Sequence, residues 1–307
     1  MSIRFDDQVA IVTGAGGGLG RDYALALAAR GAKVLVNDLA MIEGQDGQRI
    51  SAAAQVADEI CAASGKALAN QDNVATKDGA ASLVAAAIAA WGQVDICVNN
   101  AGITRDSSFA KASVDDLEAV INVNLLGTLY VTHACWPHMT AKGYGRIIVA
   151  TSMVGYMGNF GQTGYAAAKM GGIGMINTLA IEGARKGVTL NAISPAAVTP
   201  MSAGLNPPAL ERYMTSDTVV PALLWLASRE NTRTGLVIEA MAGGYGRVAM
   251  FENELVSFDP SQPVTLKMIE QNWDRITDMT DAAQIDHAPP DRPIALIKQH
   301  GLWFENT

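Results

Sequence analysis

VAIVTGAGGGLGRDYALALAAR, residues 9–30, is the stretch whose reading decides the fold. Val9–Thr13 is a short run rich in branched apolar side chains, the composition of a buried strand. The Ala- and Leu-rich segment 20–30 has the composition and length of a helix. Between them lies Thr13-Gly14-Ala15-Gly16-Gly17-Gly18-Leu19-Gly20. Alone, a glycine-rich string is an ordinary turn, but between a strand and a helix start it suits a dinucleotide pyrophosphate. Gly14 permits the tight turn, Gly18 lets the phosphates approach the backbone, and Gly20 lets the helix pack closely. Gly17 and Leu19 complete a loop whose N–H groups point at an anion.

Outward from this unit the alternation continues. Apolar strand-like runs at 33–37, 67–71, 94–99, 146–151, 189–193 and 236–240 are separated by helical patterns at 52–64, 77–91, 114–142, 165–186 and 219–228. Strands alternating with helices imply right-handed βαβ units and a parallel sheet covered on both faces. The expectation is a Rossmann-like, doubly wound α/β sheet of about seven strands. The alternation stops near Met250, so residues 1–250 read as the cofactor-binding and catalytic domain. Residues 251–307 read as a helical extension, with Leu266, Ile269, Trp273 and Ile276 at helical spacing, packed on that domain or on a partner subunit.

Composition narrows the function classes. Apolar residues make up 49% of the 307, and aromatics only 6%, so small aliphatic side chains must fill the core. A net charge of −8 argues against nucleic-acid or anionic-membrane partners. The first residues carry no signal-like apolar stretch, which makes a reducing cytoplasm the expected location. Cys61, Cys97 and Cys135 are too scattered for a disulfide framework, and the four histidines lack partners at ligand spacing, so no metal is expected.

Three further strand ends point at the same ligand. Asp38 ends the second strand, 18 residues after Gly20, where a carboxylate accepts hydrogen bonds from adenosine ribose hydroxyls and repels a 2′-phosphate. The expected cofactor is therefore NAD. Asp72 and Asn73 follow the third strand, where a side-chain acceptor meets the adenine amino group. Asn100, Ala101 and Gly102 follow the fourth, where the chain must run close to a cofactor.

Tyr165 and Lys169, four residues apart, share one helix face. Ser152 ends the strand 13 residues before Tyr165, and Asn124 lies in the preceding helical segment. With T-G-x-x-x-G-x-G, N-N-A-G, Asn124, Ser152 and Y-x-x-x-K in this order, the chain resembles the short-chain dehydrogenase/reductase family. Within it, NAGITRDSSFAK (100–111) and GNFGQTGYAAAK (158–169) are similar to the (3R)-hydroxyacyl-CoA dehydrogenase units of type 2 multifunctional enzymes.

The resemblance implies hydride exchange between a secondary alcohol and a nicotinamide. Tyr165 is then the acid/base, its phenolate favoured by Lys169 and the oxidised nicotinamide ring. Ser152 fixes the substrate oxygen, Asn124 holds a water in a proton relay, and Lys169 also grips the nicotinamide ribose. The loop after the sixth strand lacks the family's Pro-Gly and reads Pro195-Ala196-Ala197-Val198-Thr199. The resemblance carries Val198 and Thr199 over as contacts of the nicotinamide carboxamide.

The expected substrate is a (3R)-3-hydroxyacyl-CoA in an apolar slot formed by 195–213, with Arg105, Arg212 and Arg247 as candidates for its phosphates. The alternatives are a hydroxysteroid or other cyclic alcohol and, from another class, a catalytically silent NAD-binding regulator. Small residues on 165–186, including Ala166, Ala167, Gly171, Gly172 and Gly174, suggest a homodimer or homotetramer joined by close helix contacts.

Overall fold

A computed structural model describes residues 3–44, 48–199, 207–285 and 292–302. Eight strands form the principal sheet: β1 (Val9–Thr13), β2 (Lys33–Asn37), β3 (Lys66–Asn70), β4 (Ile96–Asn99), β5 (Gly145–Ala150), β6 (Val188–Ala196), β7 (Val237–Met241) and β8 (Gly244–Val248). Their spatial order is β8-β7-β6-β5-β4-β1-β2-β3. β1 pairs in parallel with both β2 and β4, so the strand order reverses at β1, where open α/β sheets bind ligands. The eighth strand, absent from the sequence expectation, follows β7 after a two-residue turn at Ala242 (φ 44°) and Gly243 (φ 80°). Its sequence, GYGRV, offers no apolar run to betray it.

Helices α1 (Gly18–Ala28), α2 (Ala52–Ala62), α3 (Lys77–Trp91), α4 (Val114–Ile121), α5 (Thr128–Lys142), α6 (Thr163–Ala184) and α7 (Val220–Ala227) flank the sheet. Side-chain caps start several of them: Ser51 accepts from the Ala54 N–H, Thr76 from Gly79 and Ser113 from Asp116. α3 and α5 end at the left-handed glycines Gly92 and Gly143. One face of the sheet buries Val12, Val34 and Val36 against Leu27 of α1, Val56 of α2 and Leu223 of α7. Fully burying side chains of this size stabilises the fold by roughly 1.5–3 kcal/mol each before entropy is counted.

The segment 114–142 is continuous but not uniform. Between α4 and α5, Asn122–Gly127 winds as a single π turn. Such a turn widens the helix locally and is a common device at functional sites.

The chain divides into two compact units, Met1–Arg247 and Val248–Thr307. In the second unit the spacing of Leu266, Ile269, Trp273 and Ile276 gives two short helices, Leu266–Gln271 and Trp273–Thr277. They part at Asn272, whose side chain donates back to the Met268 carbonyl at 2.9 Å. Strands Met250–Glu252 and Ala283–Ile285 pair antiparallel, and a helix spans Arg292–Gln299.

Two of the small residues expected at a subunit interface are used inside the protomer. A Cβ on Gly171 would lie 2.9 Å from Leu125, and one on Gly172 would lie 3.4 Å from Val149. Gly174, with open space around it, and the exposed Ile181 remain on the outer face of α6.

Candidate active site

The glycine-rich turn is positioned by the β4 end. Thr13 Oγ accepts from the N–H groups of Asn100 and Ala101, both at 3.1 Å. The Asn100 side chain donates to the carbonyls of Thr13 and Gly14, also at 3.1 Å. Gly14 has φ 62°, and a Cβ there would stand 2.8 Å from the Ala101 backbone. A Cβ on Gly20 would fall 2.1 Å from the Gly14 carbonyl, so this glycine lets α1 start directly beneath the loop. Around Gly17 a Cβ would meet nothing within 4 Å, leaving space in front of the helix N-terminus. Leu19, half-buried in the first turn of α1, packs against the core. This cradle fits a dinucleotide pyrophosphate.

Asp38 lies beside the same loop. One carboxylate oxygen accepts from the Gly16 N–H at 2.8 Å and the other from the Ala40 N–H at 2.8 Å. It therefore holds the glycine loop. Asp72 is tied to β2 and β3: Asn70 donates to its carboxylate at 2.7 Å, and Asn37 donates to its carbonyl at 2.9 Å. Asn73 Oδ1 accepts from the Ala75 N–H at 2.9 Å, shaping the turn into α3.

At the other side of the cleft, Tyr165 and Lys169 stand on α6. Lys169 Nζ lies 5.4 Å from the Tyr165 ring centroid and donates to the Ala150 carbonyl at 2.7 Å. The lysine is buried, which pulls its pKa down to about 8. Gly102 borders the same space, since a Cβ there would sit 3.6 Å from Lys169 Nζ and 3.0 Å from Asn124 Oδ1. Ser152 follows the end of β5, and its hydroxyl is close enough to the Tyr165 phenol to favour the phenolate.

Three of these residues have surroundings that the sequence did not disclose. Burial pushes the Tyr165 phenol up, more than the nearby Ser152 hydroxyl lowers it, and the charge of Asp106 raises it further. Desolvation opposes the charged form of both groups, Tyr165 and Lys169. Asn124 is buried, and its side chain is committed to Ile103, accepting from its N–H at 2.7 Å and donating to its carbonyl at 2.9 Å. These bonds fix the Gly102–Ile103 turn and leave the amide one further N–H and one further lone pair. Val198 lies just past β6, but its N–H donates to the Met214 carbonyl at 2.7 Å. Thr199 is half-buried next to it. Part of the apolar slot expected at 195–213, residues 200–206, lies outside the described residues.

Two residues here were given no role in the sequence reading. Thr13 ties the two cofactor-facing loops together, and its place in T-G-x-x-x-G was the available signal. Asp106 accepts from Gln162 at 2.8 Å and so is held near Tyr165. Nothing local marks it, because the contact joins loops 56 residues apart.

Residues 8–209 match the pattern of the short chain dehydrogenases. The chain belongs to this family. It is 44% identical over 276 residues to the short-chain type dehydrogenase/reductase Rv0148 of Mycobacterium tuberculosis, covering 90% of this chain and 96% of the relative. It is 44% identical over 285 residues to the peroxisomal multifunctional enzyme type 2 of Drosophila melanogaster, covering 92% of this chain but 47% of that enzyme. A third relative is the 3-oxoacyl-[acyl-carrier-protein] reductase of a Synechocystis strain, 44% identical over 200 residues, covering 65% of this chain and 78% of the relative. The structure of the full-length Drosophila enzyme superposes with a TM-score of 0.79 and 35% identity, over 98% of this chain and 50% of that one. The chain is thus an oxidoreductase of CH–OH donors on a Rossmann-like sheet, and its family uses a nicotinamide cofactor. No helix among the described residues is long and apolar enough to cross a membrane.

Proposed function

We propose that the protein is an NAD-dependent dehydrogenase that interconverts a (3R)-3-hydroxyacyl-CoA and the corresponding 3-ketoacyl-CoA. The convergence of Ser152, Tyr165 and Lys169 beside the cofactor cradle carries this reading. A bound nicotinamide supplies or accepts the hydride, and the chain's own residues handle the proton. Ser152 and Tyr165 converge where the substrate oxygen must sit, so both can hydrogen-bond it. In the reducing direction the burial-raised phenol keeps its proton until the forming alkoxide takes it. In the oxidising direction the nearby Ser152 hydroxyl and the positive charge of the oxidised ring favour the phenolate. Lys169, beside the Tyr165 ring, favours the phenolate when it carries its proton.

Asp38 supports NAD, because a 2′-phosphate would lie against its carboxylate. The carboxamide would meet Val198 once its N–H is released from Met214, or through its carbonyl. The acyl substrate is supported by similarity over most of the chain to multifunctional enzymes and by a relative named for 3-oxoacyl groups.

A free cyclic alcohol or hydroxysteroid is the second reading, favoured by a thin basic rim. Arg105 is paired with Asp116 at 3.6 Å, and Arg212 stacks on Tyr213 at 4.5 Å, so neither stands ready for CoA phosphates. The deciding measurement is kcat/KM for (3R)- and (3S)-3-hydroxybutyryl-CoA and a hydroxysteroid, each with NAD and NADP. The expected result is highest turnover with the (3R) thioester and NAD. Good turnover of the steroid with neither thioester active would replace the acyl reading.

A further inference from the structure

Ser152 does not stand on the sheet itself. It caps a five-residue helix, Met153–Met157, accepting from the Val154 N–H at 3.2 Å while its carbonyl accepts from Gly155 at 2.9 Å. A helix this short has too few internal hydrogen bonds to hold its own position. Two consecutive residues anchor it. Gly155 lies so close to α6 that a Cβ would be 3.1 Å from the Met170 nitrogen and 3.2 Å from the Lys169 Cβ. Tyr156 reaches the other way, its hydroxyl 3.0 Å from both Glu239 Oε1 and Ser194 Oγ.

Ser194 and Glu239 are register partners across β6 and β7, so their side chains rise from the same face of the sheet. Ser194 is buried, and Tyr156 and Glu239 are half-buried. The carboxylate can only accept, so the Tyr156 proton goes to Glu239 and the Ser194 hydroxyl donates to the Tyr156 oxygen. That assignment uses each group once in a partly desolvated setting, where such bonds are strong and their loss is felt.

We propose that Tyr156, held by Glu239 and Ser194, is a positioning residue that sets where Ser152 meets Tyr165 and the substrate oxygen. The reading rests on the catalytic role proposed for Ser152. The short helix is gripped on one side by the lysine-bearing helix and on the other by the strand pair that leads to Val198. The three parts of the site, serine turn, Tyr-Lys helix and β6 end, are therefore locked in one geometry. Tyr156→Phe removes only the hydroxyl and leaves the ring to pack.

The test is a double-mutant cycle on the full chain, assayed with (3R)-3-hydroxybutyryl-CoA and, in parallel, 1-tetralol as a neutral secondary alcohol. Tyr156→Phe should lower kcat about tenfold, the size of one misplaced hydrogen bond, with the KM for NAD unchanged. The acid limb of the pH profile should move to higher pH, because a displaced Ser152 no longer favours the phenolate. In a Ser152→Ala background the same change should have no further effect. Glu239→Gln, which keeps an acceptor for the phenol, should retain most activity, and Glu239→Ala should behave as Tyr156→Phe does. A thermal midpoint that falls while kcat and the pH profile stay put would make the cluster merely structural and overturn the proposal. So would full additivity with Ser152→Ala. Should Ser152→Ala itself leave turnover intact on both alcohols, the catalytic reading fails instead.

Discussion

The two edges of the principal sheet are ends of the same strands, yet they are built in opposite ways. At the N-terminal edge, polar groups close on one another. Asp95, fully buried just before β4, accepts from the Val9 N–H at 2.8 Å and pairs with Lys142 at the end of α5. Arg146 donates to the Ser228 carbonyl at 2.9 Å, and the Arg146 and Arg229 guanidiniums each lie 4.4 Å from the Tyr144 ring centroid. At the C-terminal edge the chain keeps Gly14 and Gly18 at positive φ, a lysine pulled down to about 8 and a phenol pushed up. Desolvation acts at both edges, raising the pKa of Tyr144 as well as Tyr165 and lowering that of Arg146 as well as Lys169. The difference is that Asp95 and Arg146 are paired within the protein, whereas Tyr165 and Lys169 border the proposed site. In the proposed function one edge serves catalysis and the other stability.

That contrast can be broken by moving one group at a time. The largest effect is expected at Tyr165. Tyr165→Phe should lower kcat by about three orders of magnitude, the scale of a lost acid/base, while NAD titrated by fluorescence still binds. Activity within tenfold of the parent would remove Tyr165 from the mechanism. Next comes the opposite edge. Asp95→Ala, which strips the buried Val9 N–H of its acceptor, should reduce unfolding free energy by about 2 kcal/mol in urea. Its kcat should stay within about twofold, the margin expected if the edges are energetically independent. A large loss of kcat with native stability would show that the division is false.

A smaller change is expected at Asp38, where both roles meet. Asp38→Ala should narrow the NAD-over-NADP ratio of kcat/KM about tenfold, as repulsion of the 2′-phosphate is lost. An unchanged ratio would leave Asp38 as a clamp on Gly16 alone. The smallest shift belongs to Asp106, which is exposed and screened by solvent. Its negative charge favours the protonated phenol, so Asp106→Asn should lower the Tyr165 pKa. The ascending limb of oxidation rate against pH should then move to lower pH by a few tenths of a unit, the scale of an exposed charge. A shift upward would contradict the sign derived from the structure.

Much of this was legible in the order of residues because it depends on local periodicity. β1 and β2 lie where their apolar runs predicted, and β3, β5, β6 and β7 agree to within about three residues at their ends, the usual uncertainty of such boundaries. β8 was missed because Gly244, Tyr245 and Gly246 carry no alternation; the strand exists by pairing with β7. The π turn at Asn122–Gly127 was missed because a helix and its widened turn share one sequence pattern.

The amino-acid sequence by itself determined the strand-turn-helix that receives a dinucleotide and the spacing that puts Tyr165 and Lys169 on one face. Both are set by backbone geometry within a few residues, and a glycine or an i, i+4 pair states that geometry directly. Only the tertiary structure decided what those groups face. The raised Tyr165 and lowered Lys169 pKa values come from burial by distant segments. The Val198–Met214 bond, the commitment of Asn124 to Ile103 and the Tyr156–Glu239 contact join residues 16, 21 and 83 positions apart. Such contacts form only when the sheet has assembled, because the chain must close long loops before they reward it.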